Sequence, residues 1–202
     1  REDLYLVSLK IVLFIFLLLT YVLSITCNLI IITLTLVDTH LKTPMYFFLR
    51  NFSFLEISYT TTCIPKLLVM MATGDKTISY EACVTQFFFF VAFITVESFL
   101  LAAMAYDRYA AVCKPLHYTT AMTTKACARL LVGCYCCGFL NASVHTGNVF
   151  RLSFCRANVV NHFFCDAPPL LALSCSDSNR SEMVFFIFVC LCQVFLGFFW
   201  ST

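Results

Sequence analysis

From Ile11 to about Leu36 the chain is apolar, interrupted only by Thr, Ser, Tyr, Cys and Asn28. At ~1.5 Å of rise per residue, this exceeds the roughly 20 residues that a helix needs to cross the hydrocarbon of a bilayer. Few folds accommodate such a run except as a membrane-spanning helix. The composition agrees: 61% of residues are hydrophobic, 12% are charged and mean hydropathy is +0.88. A soluble domain holds roughly 45–50% apolar and about 25% charged residues. Lipid is the natural solvent for this chain. No basic leader, short apolar core and small-residue cleavage site precede the run, so it reads as a signal anchor rather than a removable signal peptide. The net charge of +2 singles out no class of partner, and no segment has the basic footprint of a nucleic-acid binder.

Four further spans follow. After a short polar lead (residues 1–10) and the first span, Val37 to Thr43 forms a polar turn, and Pro44 suits the first turn of a new helix. The second span runs from about Met45 to Met71, with Glu56 inside it and Pro65 positioned to kink it. Gly74-Asp75-Lys76 makes the next turn. The third runs from about Cys83 to Val112, placing Cys83 at one face of the membrane and Arg108 at the other, about 37 Å away along the helix. Cys113 to Lys125 is a basic, proline-broken loop. The fourth span, Cys127 to about Phe150, is rich in small and polar residues that permit close helix packing. Arg151 to Ser181 is a long polar loop, and Met183 to about Trp200 is a fifth, Phe-rich span. Short-loop charges favour an inner location for Lys42, Lys114, Lys125 and Arg129. Arg1, Lys10, Lys66 and Lys76 fall on the outer side and weaken that signal.

Cysteines give the orientation more firmly. Nine of the thirteen (27, 63, 113, 127, 134, 136, 137, 190 and 192) lie in or beside apolar runs, where a thiol behaves as a small hydrophobe. Cys83, Cys155, Cys165 and Cys175 all fall on loops or helix ends of one side. An even set there points to two disulfides and an oxidising, outward face. Zinc is the competing reading, but spacings of about ten residues with only His162 nearby lack the close ligand pairs of structural zinc sites. Asn179-Arg180-Ser181 is a glycosylation sequon on the same outer loop, whereas the sequons at Asn51 and Asn141 fall at or within helices.

Three polar residues sit in the wrong solvent. Asn28 is expected to face other helices and hydrogen-bond there, because a buried amide in lipid needs a partner. Glu56 and Glu97 lie about three turns from the inner ends of their helices, roughly 16–18 Å deep. Intramembrane carboxyl groups usually face a bundle interior and mark function. Two at one depth can share a proton or hold a small cation such as sodium, with Asn28 nearby. The plainer alternative is that each is neutral and bonded to Ser, Thr or Asn28. At the inner end of the third span stands Asp107-Arg108-Tyr109. An acid and a base there can neutralise each other, and rearrangement of the arginine exposes five donors to a partner. An arginine merely snorkelling to the interface is the bland reading of the same spacing.

Met104-Ala-Tyr-Asp-Arg-Tyr-Ala-Ala-Val-Cys-Lys-Pro-Leu-His-Tyr118 resembles the signature of vertebrate olfactory receptors, a branch of the rhodopsin-like G-protein-coupled receptors. Leu41-Lys-Thr-Pro-Met-Tyr-Phe-Phe-Leu49, Ser153-Phe-Cys-Arg156, Asn161-His-Phe-Phe-Cys-Asp166 and Leu173-Ser-Cys-Ser-Asp177 are similar to further motifs of that family, in the family's order. The resemblance implies an all-α, rhodopsin-like bundle of seven helices, of which five are present here as one domain over residues 1–202. It implies a Cys83–Cys165 disulfide, and Cys155–Cys175 as the remaining pair. It implies that Arg108 engages inner helices at rest and a G protein when active. It places an odorant against Phe90, Val91, Ile94, Thr95 and Ser98, with the outer loop as a lid. The implied partners are a small-molecule odorant, a stimulatory G protein of the olfactory type and membrane lipid. The implied location is the plasma membrane of olfactory sensory neuron cilia. No cofactor is expected beyond a sodium ion at the carboxyl pair. Two positions depart from the pattern: Cys27 stands where the family usually has Gly, and Glu56 where it more often has Asp.

The sequence therefore reads as an odorant-sensing receptor coupled to a G protein through the inner end of its third helix. It shows no nucleophile–base pairing, phosphate loop or metal motif of an enzyme. The rival readings are a non-signalling truncated receptor fragment, from a pseudogene or incomplete gene, and a small ion transporter using Glu56 and Glu97.

Overall fold

The computed structural model describes residues 2–75, 77–152 and 164–172. These form six α-helices: α1 (Glu2–Val37), α2 (Pro44–Thr73), α3 (Tyr80–Cys113), α4 (Pro115–Ala121), α5 (Thr124–Phe150) and α6 (Ala167–Ala172), with a 3-10 turn at Thr39–Leu41 between α1 and α2. The described residues form a helical bundle with helices long and apolar enough to span a membrane. Residues 7–37, 80–113 and 124–150 are each long and apolar enough to cross a bilayer. Helix α2, at 30 residues or ~45 Å, is also long enough, although Arg50, Glu56 and Lys66 lower its hydropathy. The expected span over 183–200 lies outside the described residues.

The observed elements differ from the sequence reading in three places. Helix α1 starts at Glu2, well before the apolar run. The 113–125 loop contains α4, whose Pro115 supplies a helical φ at the one position where a missing N–H costs nothing. The outer loop contains α6, with Pro168 and Pro169 again in the first turn.

Helix α3 is shared by its neighbours: α2 packs on one side, α5 on the other, and α1 lies beyond α2. The α3–α5 approach is close because Gly138 is buried against Ala92 and Val96. An outer apolar cluster joins Cys83, Phe87, Val91, Ala142 and Val149 to Leu170 and Leu171 of α6. An inner cluster joins Phe48 and Leu55 of α2, Val96 and Leu100 of α3, and Cys127 and Cys134 of α5. Between helices, hydrogen bonds do what apolar surface cannot do in lipid. Tyr21 meets Thr61 at 3.2 Å, and Asn141 donates to Thr95 Oγ1 at 3.0 Å. The Gln86 amide donates to the Thr62 carbonyl at 3.2 Å, in the turn that Pro65 loosens.

The outer α2–α3 turn is set by Gly74, whose φ of 75° is a left-handed conformation that closes α2 onto the Met70 carbonyl. Asp75 accepts from the Thr77 amide and hydroxyl, and these bonds hold its carboxyl below the usual carboxylate range. Lys66 reaches over to donate to the Thr77 carbonyl at 2.7 Å.

Candidate functional site

Helix α3 carries the candidate site along its length. At its outer end Cys83 is bonded to Cys165, which seats α6 over the tops of α3 and α5. Cys155, Cys175 and Asn179 lie outside the described residues. The side chains of Asn51 and Asn141 donate to Phe47 and Thr95 inside the bundle, so neither sequon presents a free amide.

Below the disulfide, the five residues assigned to an odorant divide between two faces. Val91 and Thr95 are buried toward α5, where Thr95 Oγ1 donates to the Val91 carbonyl at 2.7 Å and accepts from Asn141. Phe90 turns toward α2 and the outer loop: its ring lies 5.5 Å from Tyr59 and 4.8 Å from Phe164. Ile94, one turn further in, is 42% exposed, as is Leu101 at 43%. Phe90, Ile94, Glu97 and Leu101 recur at helical spacing on one face, where Phe90 and Glu97 meet α2 while Ile94 and Leu101 stay exposed. Ser98 is half-buried and donates to its own helix at the Ile94 carbonyl. Tyr59 and Phe164 were not singled out from sequence. Tyr59 lies at the middle of α2 with no sequence signal, and Phe164 entered only as part of the 161–166 stretch.

Halfway down, the carboxyl groups of Glu56 and Glu97 come within hydrogen-bonding reach of each other. A hydrogen bond between two carboxyl groups exists only when one of them carries the proton. Asn28 does not join them as expected. Its amide donates to the Ser24 carbonyl at 3.0 Å and reaches the Ser24 hydroxyl at 3.5 Å, both on its own helix. In an apolar surrounding the carbonyl one turn back is the nearest acceptor, and it satisfies the amide without a second helix.

At the inner end Asp107 is 2% exposed and accepts a 2.8 Å hydrogen bond from the Tyr118 hydroxyl of α4. Sequence reasoning had paired Asp107 with Arg108. Adjacent residues on a helix point about 100° apart, so Asp107 turns inward to α4 while Arg108 is exposed. Burial, then the bond to Asp107, pushes the Tyr118 phenol up to about 12. The phenol therefore remains a donor at neutral pH, and the contact is lost only as pH rises from its ordinary value near 10 through about 12. Tyr109 is half-buried, with the Lys114 ammonium 6.0 Å from its ring centre. Tyr118→Phe is expected to cost about 1–2 kcal/mol by leaving a buried acceptor unpaired. Thermal denaturation in detergent checks this, and an unchanged midpoint would exclude the latch.

Residues 17–199 match the family model described as olfactory receptor. The chain belongs to the olfactory receptor family. Human olfactory receptor 5B12 is 65% identical over 90% of this chain and 58% of its own length. Mouse olfactory receptor 5B21 is 59% identical over 75% of this chain and 48% of its own length. Human olfactory receptor 5B2 is 52% identical over 95% of this chain and 64% of its own length. This olfactory receptor chain thus spans about half to just under two thirds of the curated relatives it matches. Membership and the apolar helices make it a multi-pass plasma-membrane protein, of a family of receptors rather than enzymes.

Proposed function

We propose that this chain forms the larger part of an odorant-sensing receptor that couples to a stimulatory G protein. The observation that carries the reading is the arrangement of α3. It is tied at its outer end by Cys83–Cys165, and at its inner end Tyr118 holds Asp107 while Arg108 stays exposed. A small volatile ligand is received at the aromatic outer face around Phe90, with Ile94 and Ser98 below it and the Val91–Thr95 face fixing the helix against α5. Such a ligand favours the active arrangement only through its differential affinity for it. Arg108 then offers its donors to the G protein. The test is cyclic-AMP production, under an odorant panel, in cells bearing the full-length receptor that contains this chain. Odorant-dependent signal that Arg108→Ala abolishes at equal surface expression supports the reading; silence at normal surface expression supports the non-signalling alternative.

The Glu56–Glu97 pair belongs to the same proposal. Two carboxyl groups this close can share a proton, and both also offer oxygen donors to a sodium ion. Glu97→Gln is expected to remove the pH dependence of signalling, and to change basal signal by at least threefold. The same responses measured with sodium replaced by choline separate the two occupants: a sodium dependence lost in the variant assigns the ion.

A further inference from the structure

A cavity of about 810 Å³ opens at the inner face between the ends of α1, α2, α4 and α5. This is within the ~300–1,000 Å³ of sites that enclose small organic groups. Its walls carry Lys42, Arg50, Tyr118, Thr43, Thr119 and Thr124, and no acidic residue lines it. Arg50 lies 5.5 Å from the Phe47 ring centre, and neither it nor Lys42 is in an ion pair among the described residues. The loop acid Asp38 does not line the cavity, and its carboxylate accepts from the His40 amide at 2.8 Å to cap the 3-10 turn. Thr43 precedes α2 without capping it through its side chain, so its hydroxyl is available beside the cations. Asp107 stands behind the wall with its carboxylate engaged by the Tyr118 hydroxyl, so the groups facing the cavity are two cations and several hydroxyls, which define a site for a multiply charged anion.

We propose that this cavity binds the headgroup of a phosphoinositide from the inner leaflet. The anion is a lipid rather than a free phosphate because the cavity wall continues into lipid-facing surface. Leu36 lines the cavity and is 58% exposed, and Thr33 and Leu29, one and two turns along the same face of α1, are exposed too. Acyl chains run along that side of α1 while phosphates meet Lys42 and Arg50. Basic recesses between helices on the cytoplasmic side are suited to such headgroups. The site shares Tyr118 with the Asp107 latch, so an occupied cavity braces α4 against α2 and α5.

The experiment places the purified chain in phosphatidylcholine nanodiscs and titrates phosphatidylinositol 4,5-bisphosphate, reading bound lipid by native mass spectrometry. The wild-type chain is expected to retain the phosphoinositide at least tenfold over phosphatidylcholine. Each cation near an anionic membrane surface contributes about fivefold. Lys42→Gln with Arg50→Gln therefore weakens binding by about 25-fold, while Lys42→Arg with Arg50→Lys retains it. Lys66→Gln, in the outer part of α2, leaves binding unchanged. A loss of less than twofold in the double glutamine variant, or an equal loss in Lys66→Gln, overturns the site. Soluble inositol 1,4,5-trisphosphate competing as well as the lipid overturns the lipid assignment in favour of a free phosphate.

Discussion

Cys83→Ser and Cys165→Ser each lower the stability of the bundle by about 2–4 kcal/mol, and the double variant falls no further than either single one. The bond closes a sequence separation of 82 residues, for which chain entropy in water alone gives roughly 4 kcal/mol. Inserted helices restrict the unfolded ensemble beforehand, so the lower part of the range is expected. The loss also has an enthalpic part. Ala167, Leu170 and Leu171 are buried in the cluster that Cys165 shares with Phe87 and Val149, and the bond holds α6 there. The check is thermal denaturation in detergent with and without reductant. Wild type should shift on reduction to the midpoint of the variants, which should not respond. Additive losses in the double variant would mean that the two thiols are not paired.

Gly138→Ala is expected to cost about 1–3 kcal/mol, a large effect for one methyl group. A Cβ built there falls on Val96 Cγ2 and stands 3.0 Å from the Ala92 carbonyl oxygen and 3.2 Å from the Val96 amide. The valine can turn aside, but the two backbone atoms cannot move without separating α3 from α5. That separation strains the Asn141–Thr95 bond, three residues along α5. Gly133→Ala and Gly147→Ala are the internal controls. Nothing lies within 4 Å of a Cβ at either position, so both should stay within about 0.5 kcal/mol of wild type. Adding Val96→Ala to Gly138→Ala should recover part of the loss. A Gly138→Ala protein as stable as the controls would show that the two helices do not approach closely there.

Much of this protein was legible before any fold was drawn. Long apolar runs set the membrane as solvent, since about 20 such residues bury only in lipid or in a large core. Depth was also legible, because rise along a helix is a fixed increment per residue. That is why Glu56 and Glu97, counted from opposite helix starts, meet at one level. The resemblance carried by the 104–118 signature named the family before the match over residues 17–199 showed it. Residue spacing alone left the loop-cysteine pairing open, because any of four outward cysteines satisfies an even count; the resemblance implied Cys83–Cys165, and the fold brings those two together.

Rotation and partner choice belonged to the tertiary structure. A linear sequence gives each residue a height but not the neighbour it faces, which depends on how whole helices pack. Phe90 and Val91 are adjacent in sequence, yet one stacks toward the outer loop and the other is sealed against α5. Asn28 had a depth that suggested a bundle partner, and it is satisfied by Ser24 on its own helix. Asp107 had an arginine next to it in sequence, but its partner is Tyr118, carried in by a short helix that a proline-broken loop had concealed. The sequence by itself determined the solvent, through its long apolar runs, and the family, through the resemblance of its motifs. Only the packing of α2, α4 and α5 around α3 decided which polar groups meet, because contact depends on helix rotation as well as height.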